Sequence, residues 1–227
     1  MSTPGYFVTG TDTGVGKTIF SAALTRALAR RGLRVAVMKP VASGAVRTPQ
    51  GLRSEDALRL LAEATVSAPY DTVNPYCFEP PISPHIAARE CGERVELQRI
   101  QACYAALAEQ SDCVIVEGAG GWLAPIGPDR GMAELAQALA LPVILVVGMR
   151  LGCLNHALLS HESIAARGVN FAGWVANGID PAMDRAAENH ATLCARLGEP
   201  LAVIAPLRAD GALPDLGASA ARLAACP

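Results

Sequence analysis

Near the start of the chain, Gly10-Thr-Asp-Thr-Gly14-Val-Gly16-Lys17-Thr18 gathers the groups that hold a polyphosphate. Glycines let backbone amides approach an anion with no side chain in the way. Those amides, and the start of a helix behind them, turn positive ends toward it. Lys17 is placed to reach the outer phosphates, and the Thr18 hydroxyl to hold magnesium. The spacing departs from the common G-x-x-x-x-G-K-S/T pattern, because counting back from Gly16 puts the first position on Thr11 rather than Gly10. The competing explanation is a flexible turn that happens to contain Gly-Lys-Thr. An apolar run before it and a helix after it, the setting a phosphate loop requires, argue for the loop.

Five further stretches carry chemistry. Lys39 stands before Pro40, which forces it into an extended conformation. It reads as a second cation for charge that builds on a transferring phosphoryl group, or else as a solvated strand-end lysine. Ser54-Glu55-Asp56 opens a helix, so Asp56 reads either as a magnesium ligand or as an acid complementing the helix dipole. Glu117 ends the apolar run Cys-Val-Ile-Val and precedes Gly118-Ala119-Gly120-Gly121. A carboxylate there is costly unless paired or near a metal, and its position suits a magnesium-holding acid. Asn177, before Gly178, offers the donor and acceptor that a base edge needs. The N-x-x-D spacing to Asp180 is like a guanine-reading box, but Gly178 stands where that box has lysine, which favours adenine. The turn after Val147, running through Gly152, exposes amides to an anion such as a carboxylate.

Parallel strands between helices would position these groups. Tyr6 to Val8 reads as a strand and Ile19 to Arg31 as a helix closed by Gly32. Further strands are expected over 34–38, 113–116, 143–147, 171–175 and 201–204, with helices over 54–64, 95–109, 132–140, 154–167 and 182–197 and a weak one after 216. Residues 73–89, rich in proline, read as a long ordered loop. Continuous apolar strands alternating with helices predict an α/β fold: a three-layer sandwich with a mainly parallel sheet covered on both faces. Ligands in such sheets lie beyond the carboxyl ends of the strands, where each of these residues falls.

A length of 227 residues predicts one domain, 1–227, and a net charge of −2 gives no reason to expect nucleic acid or an anionic membrane as partner. Seven cysteines with no C-x-x-C pair suit a reducing cytoplasm. The first residues lack the blocks of a signal peptide, and the most apolar segment, 135–149, is interrupted by Gln137 and Pro142 and is too short to span a bilayer. His85, His156, His161 and His190 show no metal-ligand spacing, and no Ser-His-Asp or Cys-His arrangement is placed by motif.

Taken together, G-T-D-T-G-V-G-K-T (10–18), K-P-V-A-S-G (39–44), T-V-N-P-Y (72–76), S-P-H (83–85), V-E-G-A-G-G-W (116–122), L-G-C-L-N-H-A (151–157) and W-V-A-N (174–177) resemble the dethiobiotin synthetase family, ATP-dependent carboxylase-ligases of biotin synthesis. The resemblance implies a P-loop NTPase-type domain, usually a homodimer. It implies that 7,8-diaminononanoate, carbon dioxide and Mg-ATP give dethiobiotin, ADP and phosphate. One amine forms a carbamate, the carbamate takes the γ-phosphoryl group, and the second amine closes a cyclic urea. Carried over residue by residue, Lys17 and Lys39 are catalytic, and Thr18, Asp56 and Glu117 hold magnesium. ATP lies against Thr13, Gly14, Val15, Gly16, Lys17, Thr18, Ile19, Asp56, Glu117, Gly118, Ala119, Gly120, Asn177 and Gly178, with Pro206, Leu207 and Arg208 beside the base. Ser43 meets the diamine, and Leu151, Gly152, Cys153 and Asn155 bind its carboxylate across the dimer interface. The substrate brings both nucleophiles, so no protein nucleophile is required. Residues 73–89 are expected to cover the site and keep water from the mixed anhydride.

Three other classes compete. Partition or targeting ATPase switches carry a lysine where this chain has Asp12. Amide-forming ligases fed by a glutaminase domain need more chain than this. A nucleotide-binding module without catalysis leaves Lys39, Asp56 and Glu117 surplus.

Overall fold

Six largely apolar strands line up in parallel, in the order β10-β9-β8-β1-β7-β2. They are β1 (Gly5–Gly10), β2 (Val35–Met38), β7 (Cys113–Glu117), β8 (Val143–Met149), β9 (Phe171–Gly178) and β10 (Ala202–Ile204). The computed structural model describes residues 5–206 and 212–224. Between the strands run α1 (Lys17–Ala29), α2 (Glu55–Leu61), α5 (Leu97–Ala108), α6 (Met132–Leu139), α7 (Cys153–Ala166) and α8 (Ala186–Leu197), and α9 (Gly217–Ala224) follows the last strand.

Alternation of side chains along the strands makes two apolar layers. On one face Tyr6, Val8, Ile115 and Ile144 pack with Phe20, Leu24 and Leu28 of α1 and with Leu216, Ala220 and Leu223 at α9. On the other, Phe7, Val114 and Val116 pack with Ile100 and Leu107 of α5 and Leu135 and Leu139 of α6. Toward the β9 side, Leu145, Val147 and Trp174 meet Ala157 of α7 and Leu193 of α8. These apolar strands have no polar face because both faces are covered. Main elements expected from the sequence are present, with ends shifted by a few residues. The last strands run further than expected, to Met149 and Gly178.

Residues 73–89 are not a loop. They contain the end of α3 (Tyr70–Val73), β6 (Tyr76–Phe78) and most of α4 (Pro84–Glu90). β6 pairs in parallel with β3 (Val41–Ser43), and β4 (Val46–Thr48) pairs with β5 (Gly51–Arg53) as a hairpin. Proline misleads here because Pro84 sits at the first turn of α4, where its missing N–H costs nothing. Strands of three residues are too short to show periodicity. No helix among the described residues is long and apolar enough to cross a membrane.

Candidate active site

β1, β2 and β7 end side by side, and each delivers one part of the site. After β1 the chain turns through Gly14 (φ 73°) and Gly16 (φ 92°) before α1 begins at Lys17. Both angles lie in the left-handed region that glycine tolerates. Gly16 is further constrained: a Cβ on it would lie 2.0 Å from Asn177 Nδ2. Asn177, at the end of β9 and buried, donates from Nδ2 to Val15 O at 2.7 Å. A residue near the end of one strand thus clamps the loop that follows another.

Lys17 is buried and donates to the Asp12 carbonyl at 2.9 Å. Burial, and next the charge of Lys39, lower its pKa to about 8. Asp12 accepts the Thr13 amide at 2.7 Å and pairs with Arg150 at 2.6 Å. The residue that replaces the lysine of switch ATPases therefore ties the phosphate loop to the turn after β8.

Lys39, at the end of β2, is likewise buried. Its Nζ lies 2.6 Å from Glu117 Oε1, 2.8 Å from Asp56 Oδ2 and 3.2 Å from the Gly118 carbonyl. Burial works to lower its pKa, but attraction to Glu117 and Asp56 prevails and the value is raised. Burial works to raise Asp56, but Lys39 prevails and holds it below the usual carboxylate value. The strand-end lysine is thus not a solvated one. Its backbone is strapped in place: the Lys39 amide donates to Val73 O at 2.8 Å, and Asn74 Nδ2 donates to Lys39 O at 2.6 Å. Asn74 belongs to the quoted T-V-N-P-Y stretch, yet this positioning role gave no local signal in the sequence.

Thr18 Oγ1 lies 2.9 Å from both Asp56 Oδ1 and Glu117 Oε1. A hydroxyl has one proton and cannot donate to both. Three converging oxygens of this kind suit a hard cation such as magnesium. Glu117 Oε2 is buried with no hydrogen-bond partner among the described residues. No group of three His, Cys, Asp or Glu side chains that could hold a metal occurs among them. Magnesium takes one or two carboxylates and completes its shell with phosphate and water, and Asp56 and Glu117 would be those carboxylates.

These groups line a cavity of about 1180 Å³. It includes Thr13, Gly14, Gly16, Lys17, Thr18, Ile19, Lys39, Ser43, Asp56, Glu117, Ala119, Gly120, Asn177, Gly178 and Pro206. Gly178 and Pro206 touch closely, since a Cβ on Gly178 would lie 2.9 Å from Pro206 Cδ. Val15 turns into the core instead, and Gly118 packs against Phe7 and Met132. Leu207 and Arg208 lie outside the described residues. Leu151, Gly152, Cys153 and Asn155 are not among the residues that line the cavity. Gly152 caps α7 at φ 93°, Cys153 is buried and Leu151 is 92% exposed. Segment 81–84, part of the stretch expected to cover the site, also lines the cavity, together with Ser43.

Residues 4–214 match a protein family described as an AAA domain. The chain is 52% identical over 198 residues to the ATP-dependent dethiobiotin synthetase BioD of Pseudomonas aeruginosa, which covers 87% of each chain. It is 49% identical over 210 residues to the protein of the same name from Xanthomonas oryzae pv. oryzae, covering 92% of this chain and 94% of that one. Among solved structures it is similar to a chain of the MinC:MinD cell division protein complex of Aquifex aeolicus, with a TM-score of 0.59 at 16% identity over 98% of this chain and 95% of that one. A ParA family ATPase from Chlorobium tepidum gives a TM-score of 0.55 at 15% identity over 100% and 93%. At such identities the likeness is one of fold.

Proposed function

The chain belongs to the ATP-dependent dethiobiotin synthetase family, and from that premise we propose that it joins carbon dioxide to 7,8-diaminononanoate and closes the cyclic urea, dethiobiotin, driven by ATP. One observation carries the residue assignment: Lys17, Lys39, Thr18, Asp56, Glu117 and Ser43 face a single cavity at the ends of adjacent strands. A carbamate and a triphosphate are both anionic, and bringing them together needs concentrated positive charge in a site shielded from water. Lys17 holds the outer phosphates. Lys39, fixed between Glu117 and Asp56, faces the position where the phosphoryl group passes to the carbamate oxygen. Thr18, Asp56 and Glu117 hold magnesium, which when bound neutralises charge on the phosphates. The amides of Thr13 to Ile19 and of Gly118 to Gly120 surround the phosphates.

Asn177, Gly178 and Pro206 form the wall against which the base stacks. Asn177 Nδ2 is engaged by Val15 O, so its Oδ1 is the atom left to accept from an adenine amino group. Ser43 positions the diamine. The turn of Leu151, Gly152, Cys153 and Asn155 serves the site of a second copy, making a homodimer whose partner closes each cavity. The exposure of Leu151 and the absence of this turn from the lining of its own cavity support that arrangement. We further propose that residues 1–227 form one domain, in the cytoplasm. The packing of α9 on α1 supports the first part.

The test is incubation with the diamine, bicarbonate and Mg-ATP, followed by mass spectrometry. A ureido product formed in step with ADP is expected. ADP release without that product would remove the synthetase reading.

A further inference from the structure

Ser83 precedes α4 in the position of an N-cap, yet its hydroxyl caps nothing. It lies instead 2.8 Å from His85 Nδ1. A serine at this position ordinarily accepts a helix N–H and gains about 1 kcal/mol in doing so. Forgoing that bond points the hydroxyl at the imidazole.

The two residues belong to different cavities. Ser83 lines the catalytic cavity, and His85 lines a second one of about 620 Å³ between the end of α4 and the segment 126–130. Ser43 lies on the same wall as Ser83, because Ser43 pairs with Phe78 across β3 and β6 and Gly44 N donates to Pro80 O at 3.1 Å. The second cavity presents Arg89 on α4, Glu93, Arg94 and Glu96 after it, and Asp129 and Arg130 opposite. Its charges are balanced, and its carboxylates can accept a proton.

The proposed reaction sheds protons inside the cavity. When an amine nitrogen forms its bond to the carbon of carbon dioxide, a C–O π pair moves to oxygen and the nitrogen must lose a proton. Lys39, paired with Glu117 and Asp56, is a cation and cannot accept it, and Lys17 is given over to the phosphates. Asp56 has both oxygens engaged by Lys39 and Thr18, and Glu117 is paired with Lys39 and proposed above as a magnesium ligand.

We propose that Ser83 and His85 form a proton relay through the wall of the active site, carrying the amine proton from the diamine to the outer cavity. The inference rests on the function proposed above. Ser83 Oγ takes the proton from the amine as it passes its own to His85 Nδ1. The imidazolium then gives its Nε2 proton to water or carboxylate in the outer cavity, and proton exchange between the ring and water returns the tautomer in which Nδ1 accepts. Ser83 meets the diamine, and His85 acts through Ser83.

The test compares wild type with His85→Asn, His85→Ala, Ser83→Ala and the double variant Ser83→Ala/His85→Ala, following ureido product. His85→Asn keeps a polar side chain of similar reach and guards against a merely structural loss. A proton-transfer group contributes roughly 100-fold or more, so each single variant should lose kcat by about that factor, with nucleotide affinity unchanged. The double variant should lose no more than either single one. Added imidazole should restore part of the turnover of His85→Ala, more basic imidazoles restoring more. Turnover near wild type in His85→Asn, additive losses in the double variant, or a loss that no imidazole repairs would each overturn the relay. Absence of ureido product from wild type would overturn the function and the relay together, whereas product from wild type with unaffected variants would overturn the relay alone.

Discussion

Lys39 Nζ and Glu117 Oε1 lie 2.6 Å apart, both side chains essentially closed to solvent, at the ends of strands that run side by side. Cation and anion are each tolerable there because of the other. Lys39→Ala should therefore abolish ureido product and also destabilise the fold, by about 3–5 kcal/mol, since it leaves a buried carboxylate unpaired. Magnesium with nucleotide should recover part of that loss, because a second cation then meets Glu117. Thermal melts with and without Mg-ADP check it. A variant that melts like wild type, or that still turns over, would contradict the pairing.

Asn177 and Gly16 occupy each other's space. Gly16→Ala should weaken nucleotide binding strongly, because its Cβ would fall 2.0 Å from Asn177 Nδ2 at a φ of 92°. Asn177→Ala should weaken it by freeing the Val15 carbonyl. The combination should be less harmful than the sum, by roughly 0.5–3 kcal/mol, as for residues in contact. Binding isotherms for the three variants read this coupling directly.

Lys17 gives a pH signature. Its pKa in the fold is lowered from 10.5 to about 8. The unfolded chain therefore binds more protons between those values, and stability contributed by this group rises with pH through that window. Below about pH 8 the penalty of a buried charge is fully present. Phosphates favour the charged form, so nucleotide binding should take up a proton near pH 9 and scarcely any at pH 7. Calorimetry in buffers of different ionisation enthalpy measures the uptake, and equal values at the two pH values would count against this cradle.

The phosphate loop, Lys39 and Glu117 were legible because each follows an apolar run at the carboxyl edge of a parallel sheet. That edge is fixed by strand direction alone, so position in the chain predicts position in space. Asp12, Asn74 and Arg150 were not legible as positioning groups. Their partners lie far away in sequence, Arg150 being 138 residues from Asp12, and no local periodicity encodes such contacts. The segment 73–89 misled for a related reason. Its three-residue strand exists only because Val41–Ser43 lies beside it, and tertiary pairing overrode a proline-rich composition.

Leu151 tests the expected dimer. It is 92% exposed at the turn before α7, and Leu123 and Leu159 are exposed as well. Leu151→Asp should shift the protein toward monomer, measured by light scattering after size exclusion. It should raise the KM for the diamine far more than that for ATP. A monomeric wild type with full turnover would remove the partner from the site.

α9 lies against the flank of α1, and Tyr6 Oη donates to Leu223 O at 2.8 Å while Arg26 reaches Leu213 O and Pro214 O. The helix that bears the phosphate loop is thus roofed by the last of the described residues to leave the ribosome. Until they emerge, the flank of α1 that α9 covers stays bare on the nascent chain.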